Sequence, residues 1–144
     1  MTLLLTEDYP LPQTALIDAM AGIGDRFSGR ALRLIFDRAV ATAERLILLP
    51  SEKLPHVMDF QKRLARATVS AGVPTRRGVR FNPHITLSYQ KGQPFDRSID
   101  SFSWLAEEFV LIHSHVGLTR HDIVARWRLT TQNGDIEQPL LNLS

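Results

Sequence analysis

Apolar residues in this chain come in short segments, and only two of those segments repeat them at helical spacing. That pattern bounds the fold before any motif is considered. Leu16, Ile17, Met20 and Ile23 follow the 3.6-residue period, which predicts an amphipathic helix over 12–24. Pro12 suits its first turn, and Gly22 and Gly24 weaken its end. The longer candidate runs from Ser51 to Gly72. Leu54, Val57, Met58, Phe60, Leu64 and Val69 form much of one stripe there, with Lys62, Arg63 and Arg66 interleaved and Gly72 and Pro74 closing it. The other apolar segments are strand-like: Met1 to Leu5, Ala31 to Asp37, Arg45 to Leu49, His84 to Tyr89, Phe109 to Val116 and Ile123 to Thr130, the last two joined through Gly117. In the second of these, Leu32, Leu34 and Phe36 point one way and Arg33 and Ile35 the other. Lys91 to Arg97 reads as a turn-rich break. The predicted order is β-α-β-β-α-β-β-β, an α+β layer fold with helices packed on largely antiparallel sheet. The tail from Gln132 is polar, then apolar at Leu140, Leu141 and Leu143, and the pattern assigns it no element.

Composition removes several classes. A chain of 144 residues, 44% hydrophobic, can bury one sizeable core and is too apolar for disorder. Absence of cysteine excludes disulfide scaffolds, thiolate zinc sites and cysteine nucleophiles, and fits a reducing, cytoplasmic setting. No apolar run reaches about 18 residues, so no membrane span is expected. Glu7 and Asp8 come early and no basic segment precedes them, unlike a signal peptide. With 17 Lys+Arg against 15 Asp+Glu, net charge alone does not argue for nucleic acid. The placement of Arg76, Arg77 and Arg80 says more. Arginine's planar fork suits phosphate oxygens, although the same cluster also reads as a solvated basic turn.

That turn leads into Phe81-Asn82-Pro83-His84-Ile85-Thr86-Leu87-Ser88-Tyr89. Strand alternation puts His84, Thr86 and Ser88 on one face, and leaves Phe81, Ile85, Leu87 and Tyr89 for the other face or the strand end. An imidazole moves protons near neutrality, and a threonine hydroxyl donates to a phosphoryl oxygen without adding charge. Together with the basic loop, the pair makes half of a phosphate-chemistry site. The plain alternative is a histidine packed on a sheet.

The same stretch resembles the second His-x-Thr motif of the 2H phosphoesterase superfamily, in its bacterial 2'-5' RNA ligase-like (LigT-like) branch. Phe36-Asp37-Arg38-Ala39 is similar to the strand end between that family's two motifs. Leu46-Ile47-Leu48-Leu49-Pro50 with the helix to Gly72 resembles the lead-in to the second motif. Phe109-Val110-Leu111-Ile112-His113-Ser114 and Ala125-Arg126-Trp127-Arg128-Leu129 resemble the closing strands. The resemblance runs from about residue 1 to 130. It implies a LigT-like fold of mostly antiparallel sheets with two main helices, in two lobes around a cleft. It also implies RNA ends or small nucleotides with 2',3'-cyclic or 2',5' phosphates as partners. One histidine would act as general base and the other as general acid, with the threonines on the phosphoryl oxygens. No metal and no cofactor is required. On this reading His84 and Thr86 are catalytic.

The sequence departs from the family pattern in holding a single His-x-Thr. Met1-Thr2-Leu3 fits the first motif if Met1 takes the middle position and Thr2 the threonine, which would put the histidine before the chain's first residue. The expectation is a single domain over 1–144 whose N-terminal lobe is incomplete, its opening strand and helix missing. Thr2, Arg76, Arg77 and Arg80 are the expected substrate contacts. With one histidine the chain is either an impaired phosphodiesterase or ligase, or a binding module for nucleotides and RNA ends. An uncovered sheet edge would favour a homo-oligomer.

Other residues carry less. His113 and His115 stand at i, i+2, a spacing metals use, and with His121 could form a metal cluster, but a partly exposed strand near the cleft is the stronger reading. Arg120 and His121 read as the turn between the last strands, Phe109 and Trp127 as core, and Tyr89 as structural.

Overall fold

Alternation in one central strand sets the core. The computed structural model describes residues 1–131. In chain order they form α1 (Thr14–Arg26), β1 (Leu32–Ala41), β2 (Leu46–Leu49), α2 (Pro55–Ser70), β3 (Ile85–Ser88), β4 (Phe95–Ala106), β5 (Glu108–His115) and β6 (Arg120–Arg128). An antiparallel sheet runs β3-β2-β1-β4, and β5 and β6 form a separate antiparallel ribbon. The fold is α+β, as the periodicity implies.

Leu32, Leu34 and Phe36 of β1 are buried on one side of the sheet and join Ala39 and Leu48 against Leu54, Val57 and Phe60 of the α2 segment. Leu129 closes the same cluster. Phe27, Phe60 and Phe109 meet edge to face, with centroids 5.1 to 5.8 Å apart. The ribbon is tied to β1 by backbone bonds: Ala31 N–H donates to the Thr130 carbonyl at 2.8 Å, and Thr130 N–H to that of Gly29 at 2.9 Å.

Several expectations are corrected. Met1 to Leu5 forms no strand. Its apolar character serves packing instead, because Leu3 lies against the core. Its carbonyls are satisfied singly, Leu3 by the Gln61 side chain and Leu5 by the Arg76 N–H. A strand that the sequence pattern does not mark, β4, pairs along most of β1 and takes in Phe95 to Arg97 from the supposed break. Val69 is not in the helix stripe but 66% exposed. Thr68 is buried in its place, its hydroxyl donating to the Leu64 carbonyl at 2.8 Å, which supplies the partner a buried hydroxyl needs. Arg120 and His121 belong to β6 rather than to the turn, which closes at Gly117 with φ 81°. The polar-then-apolar tail from Gln132 lies outside the described residues.

Gly24 does not weaken α1; it makes room. A Cβ there would sit 2.2 Å from Cζ2 of Trp127, whereas one on Gly22 would meet only the flexible tip of Arg26 at 3.3 Å. Gly24→Ala is expected to destabilise by about 1–3 kcal/mol through overpacking. Gly22→Ala is expected to be neutral or to stabilise by about 0.5–1 kcal/mol. Urea denaturation midpoints of the two variants check the contrast.

Candidate functional site

The strand that carries the His-x-Thr is fixed by its neighbours' pairing. Thr86 lies opposite Ile47 and Ile85 opposite Leu48, while Ser88 lies opposite Leu46 after a register shift. Directly paired residues share a face. Ile85 is therefore on the core side with Leu48, and Thr86 is on the other side with Ile47. The shift inserts Leu87 as an extra residue and turns Ser88 to the core side. Ser88 thus leaves the face the sequence assigns it. Leu87 is 55% exposed, and Tyr89, at 80%, lies at the surface rather than packed in the structure.

His84 precedes the strand by one residue, behind a buried Pro83, and is half-buried. Its Nδ1 lies 2.8 Å from the Asn82 carbonyl. A carbonyl can only accept, so Nδ1 carries the hydrogen, and in the neutral ring Nε2 keeps its lone pair. Two residues before Thr86, His84 stands on Thr86's side by alternation. The arrangement can take or give a proton at Nε2 beside a hydroxyl donor.

The pairing extends this face across the sheet. Thr86 is opposite Ile47, Ile47 opposite Val40, and Val40 opposite Asp96, one row through all four strands. In the adjoining row Leu49 is opposite Arg38, and Arg38 opposite Ser98. Antiparallel counting back from Thr86 puts His84 at the end of that second row. Arg38 donates to Asp96 twice, from Nε to Oδ1 at 2.7 Å and from Nη2 to Oδ2. The bond from Arg38 holds the Asp96 carboxyl below the usual range, and the same bond raises the guanidinium. Neither residue was expected at the site. Asp96 belongs to the strand that the sequence hides, and Arg38 becomes a face residue only through the irregularity between Phe36 and Arg38.

The expected substrate contacts differ in how they are held. Thr2 is exposed and makes no hydrogen bond among the described residues. The chain after it is fastened to the basic loop: besides the backbone bond to Leu5, the Arg76 guanidinium pairs with Asp8 at 2.5 Å. Arg77 and Arg80 are exposed and make no ion pair among the described residues. Of the arginine cluster, Arg76 is thus partly neutralised, and the other two present their charge to solvent just before His84.

His113 and His115 share one side of the ribbon, rings 4.3 Å apart, and His115 Nε2 donates to Asp122 at 2.7 Å. His121, opposite Ser114, is on the other side. Among the described residues no group of His, Asp or Glu is placed to hold a metal ion. The His115 bond, followed by that from Arg120, lowers the Asp122 carboxyl below its usual range. A carboxyl that is more acidic when folded adds stability above its unfolded pKa and loses it as pH falls through the folded one. His115→Ala is expected to move the Asp122 titration, followed by NMR, back up toward the ordinary aspartate range. An unmoved midpoint would assign the shift to Arg120 alone.

No protein-family model matches the sequence, and no curated protein does. Solved structures do. E. coli LigT in apo form superposes with TM-score 0.63 at 21% identity, over 82% of this chain and 70% of that one. E. coli LigT complexed with 3'-AMP gives 0.62 at 20%, over 83% and 71%. A crystal structure described as a phosphoesterase gives 0.62 at 21%, over 83% and 71%. The two helices and antiparallel sheets thus match the LigT-like phosphoesterase fold.

Proposed function

We propose that this chain is a phosphoesterase-like domain acting on RNA ends or nucleotides that bear 2',3'-cyclic or 2',5' phosphates. The observation that carries the reading is the His84 ring. Its Nδ1–H is pinned by the Asn82 carbonyl, and Nε2, on the face that Thr86 shares, makes no hydrogen bond among the described residues. In hydrolysis of a 2',3'-cyclic phosphate, Nε2 takes a proton from water as the new O–P bond forms. The bond from phosphorus to one ribose oxygen breaks, and that oxygen takes its proton from solvent water. Thr86 donates to a phosphoryl oxygen as charge builds there. Thr2 and the arginines Arg76, Arg77 and Arg80 are the proposed substrate contacts, with Arg77 and Arg80 best placed by their exposure. E. coli LigT is solved with 3'-AMP, NADP+ and ATP, which supports nucleotides as the ligand class. No described helix is long and apolar enough to cross a membrane. We place the protein in the cytoplasm on its lack of cysteine, as one domain that self-associates through a sheet edge.

The second reading is a binding module on the same face. Its support is that His84-Ile85-Thr86 is the one His-x-Thr in the sequence, and that His56 and His115 are engaged by the Arg33 carbonyl and Asp122. Incubation with 2',3'-cyclic mononucleotides and with a 2',5'-linked dinucleotide, followed by chromatography and by calorimetric titration of 3'-AMP, separates the two. Turnover is expected on the first reading and binding without turnover on the second. Neither turnover nor binding would overturn both.

A further inference from the structure

Arg38 and Asp96 stand two and three strands away from the His-x-Thr, on its face, and neither has a structural task that explains the pair. Arg38 is not buried, and exposed ion pairs add little to stability. What a two-bond contact does is fix orientation. Asp96 takes Nε and one Nη2 hydrogen, and the remaining donors, both Nη1 hydrogens among them, have no partner among the described residues.

The position of Asp96 decides where those donors point. It lies on β4, on the far side of β1 from β3, so the pair draws the guanidinium away from His84. Strands are about 4.8 Å apart, so the backbones of His84 and Arg38 are separated by roughly 10 Å across the sheet. Between them the same face offers the half-buried Leu49 and Val40, beside a buried Ile47. The face is therefore polar at both ends and apolar in the middle. An apolar floor with a few placed polar groups suits a flat, partly apolar ligand. A nucleoside with a phosphate on either side has that distribution.

We infer that Arg38, splinted by Asp96, binds a second phosphate, so that the face takes an RNA end whose terminal phosphate is followed by a phosphodiester, in preference to a mononucleotide. The inference rests on the phosphoester reading of His84 and Thr86 and names its substrate class. Arg38 is a binding residue in this scheme, and Asp96 positions it.

The test is calorimetric titration of two probes, 3'-AMP and a 3',5'-linked diadenylate carrying a 3'-terminal phosphate. The unaltered chain is expected to bind the dinucleotide about ten- to a hundredfold more tightly, the range of a hydrogen bond to a charged group. Arg38→Ala is expected to erase that advantage and leave 3'-AMP within about twofold. It should also lower the salt slope for the dinucleotide by roughly one phosphate contact. Asp96→Asn, which keeps the shape but frees the guanidinium, is expected to lose part of the advantage, and Arg38→Lys more than part, because a point charge cannot be splinted in the same way. Equal weakening of both probes in Arg38→Ala, or no dinucleotide preference in the unaltered chain, would overturn the inference while leaving the phosphoester reading standing. If neither probe binds the unaltered chain, that reading falls and the inference with it. Circular dichroism of each variant establishes that the fold is intact.

Discussion

His84→Ala is expected to cut hydrolysis of a 2',3'-cyclic nucleotide by roughly 10²–10⁴-fold, the usual contribution of a positioned acid or base. The effect belongs in kcat rather than KM, since the ring's contact with the migrating proton exists in the transition state and not in the ground-state complex. Thr86→Ala removes a neutral donor at phosphorus and is expected to cost less. Because the Asn82 carbonyl dictates which nitrogen carries the hydrogen, His84→Gln, which has no titratable site, should behave like alanine and not like a partial substitute. Steady-state kinetics on the three variants checks the order. A His84→Ala enzyme with unchanged kcat would remove the imidazole from the mechanism altogether.

Phe36→Ala is expected to destabilise the protein by about 3–5 kcal/mol, the range for emptying a buried aromatic site. The ring is 0% exposed. It stacks on Trp104 with centroids 5.4 Å apart and lies 6.0 Å from Phe102, so its loss takes away the buried ring against which both β4 aromatics pack. Ile35, its neighbour on the opposite face, is exposed, and Ile35→Ala is expected to cost under about 1 kcal/mol. Urea unfolding of both variants gives the comparison directly. Near-equal midpoints would mean that β1 is not the centre of the core.

The contrast between those two positions is also where sequence reading succeeds. Leu32, Leu34 and Phe36 announce a strand with one buried side because burial selects every second residue. Val57 and Phe60 announce α2 in the same way. The reading fails at β4. Asp96, Arg97, Ser98, Asp100, Ser101 and Ser103 give it the composition of a loop, and it is tolerated there because β4 borders the sheet and most of its residues meet water. Met1 to Leu5 fails in the other direction. Its leucines signal burial correctly, but strand identity needs a paired neighbour, which composition does not report. The His-x-Thr pair is legible from alternation alone. Arg38 and Asp96 are not, since each depends on register: one on the irregularity after Phe36, the other on a strand absent from the pattern. Ser88 is lost for the same reason, by a one-residue slip at Leu87.

Among the described residues the strand that carries Thr86, entered one residue after His84, is short and bonded along one flank to β2 alone, while β1 is flanked on both sides. Amide protons of Ile85 to Ser88 should therefore swap with deuterium through local fraying, long before those of β1, which wait for the whole sheet to come apart. The proposed chemistry is thus mounted on a short strand at the margin of the ladder. A bound ligand would be felt there first, as a slowing of deuterium uptake confined to this margin.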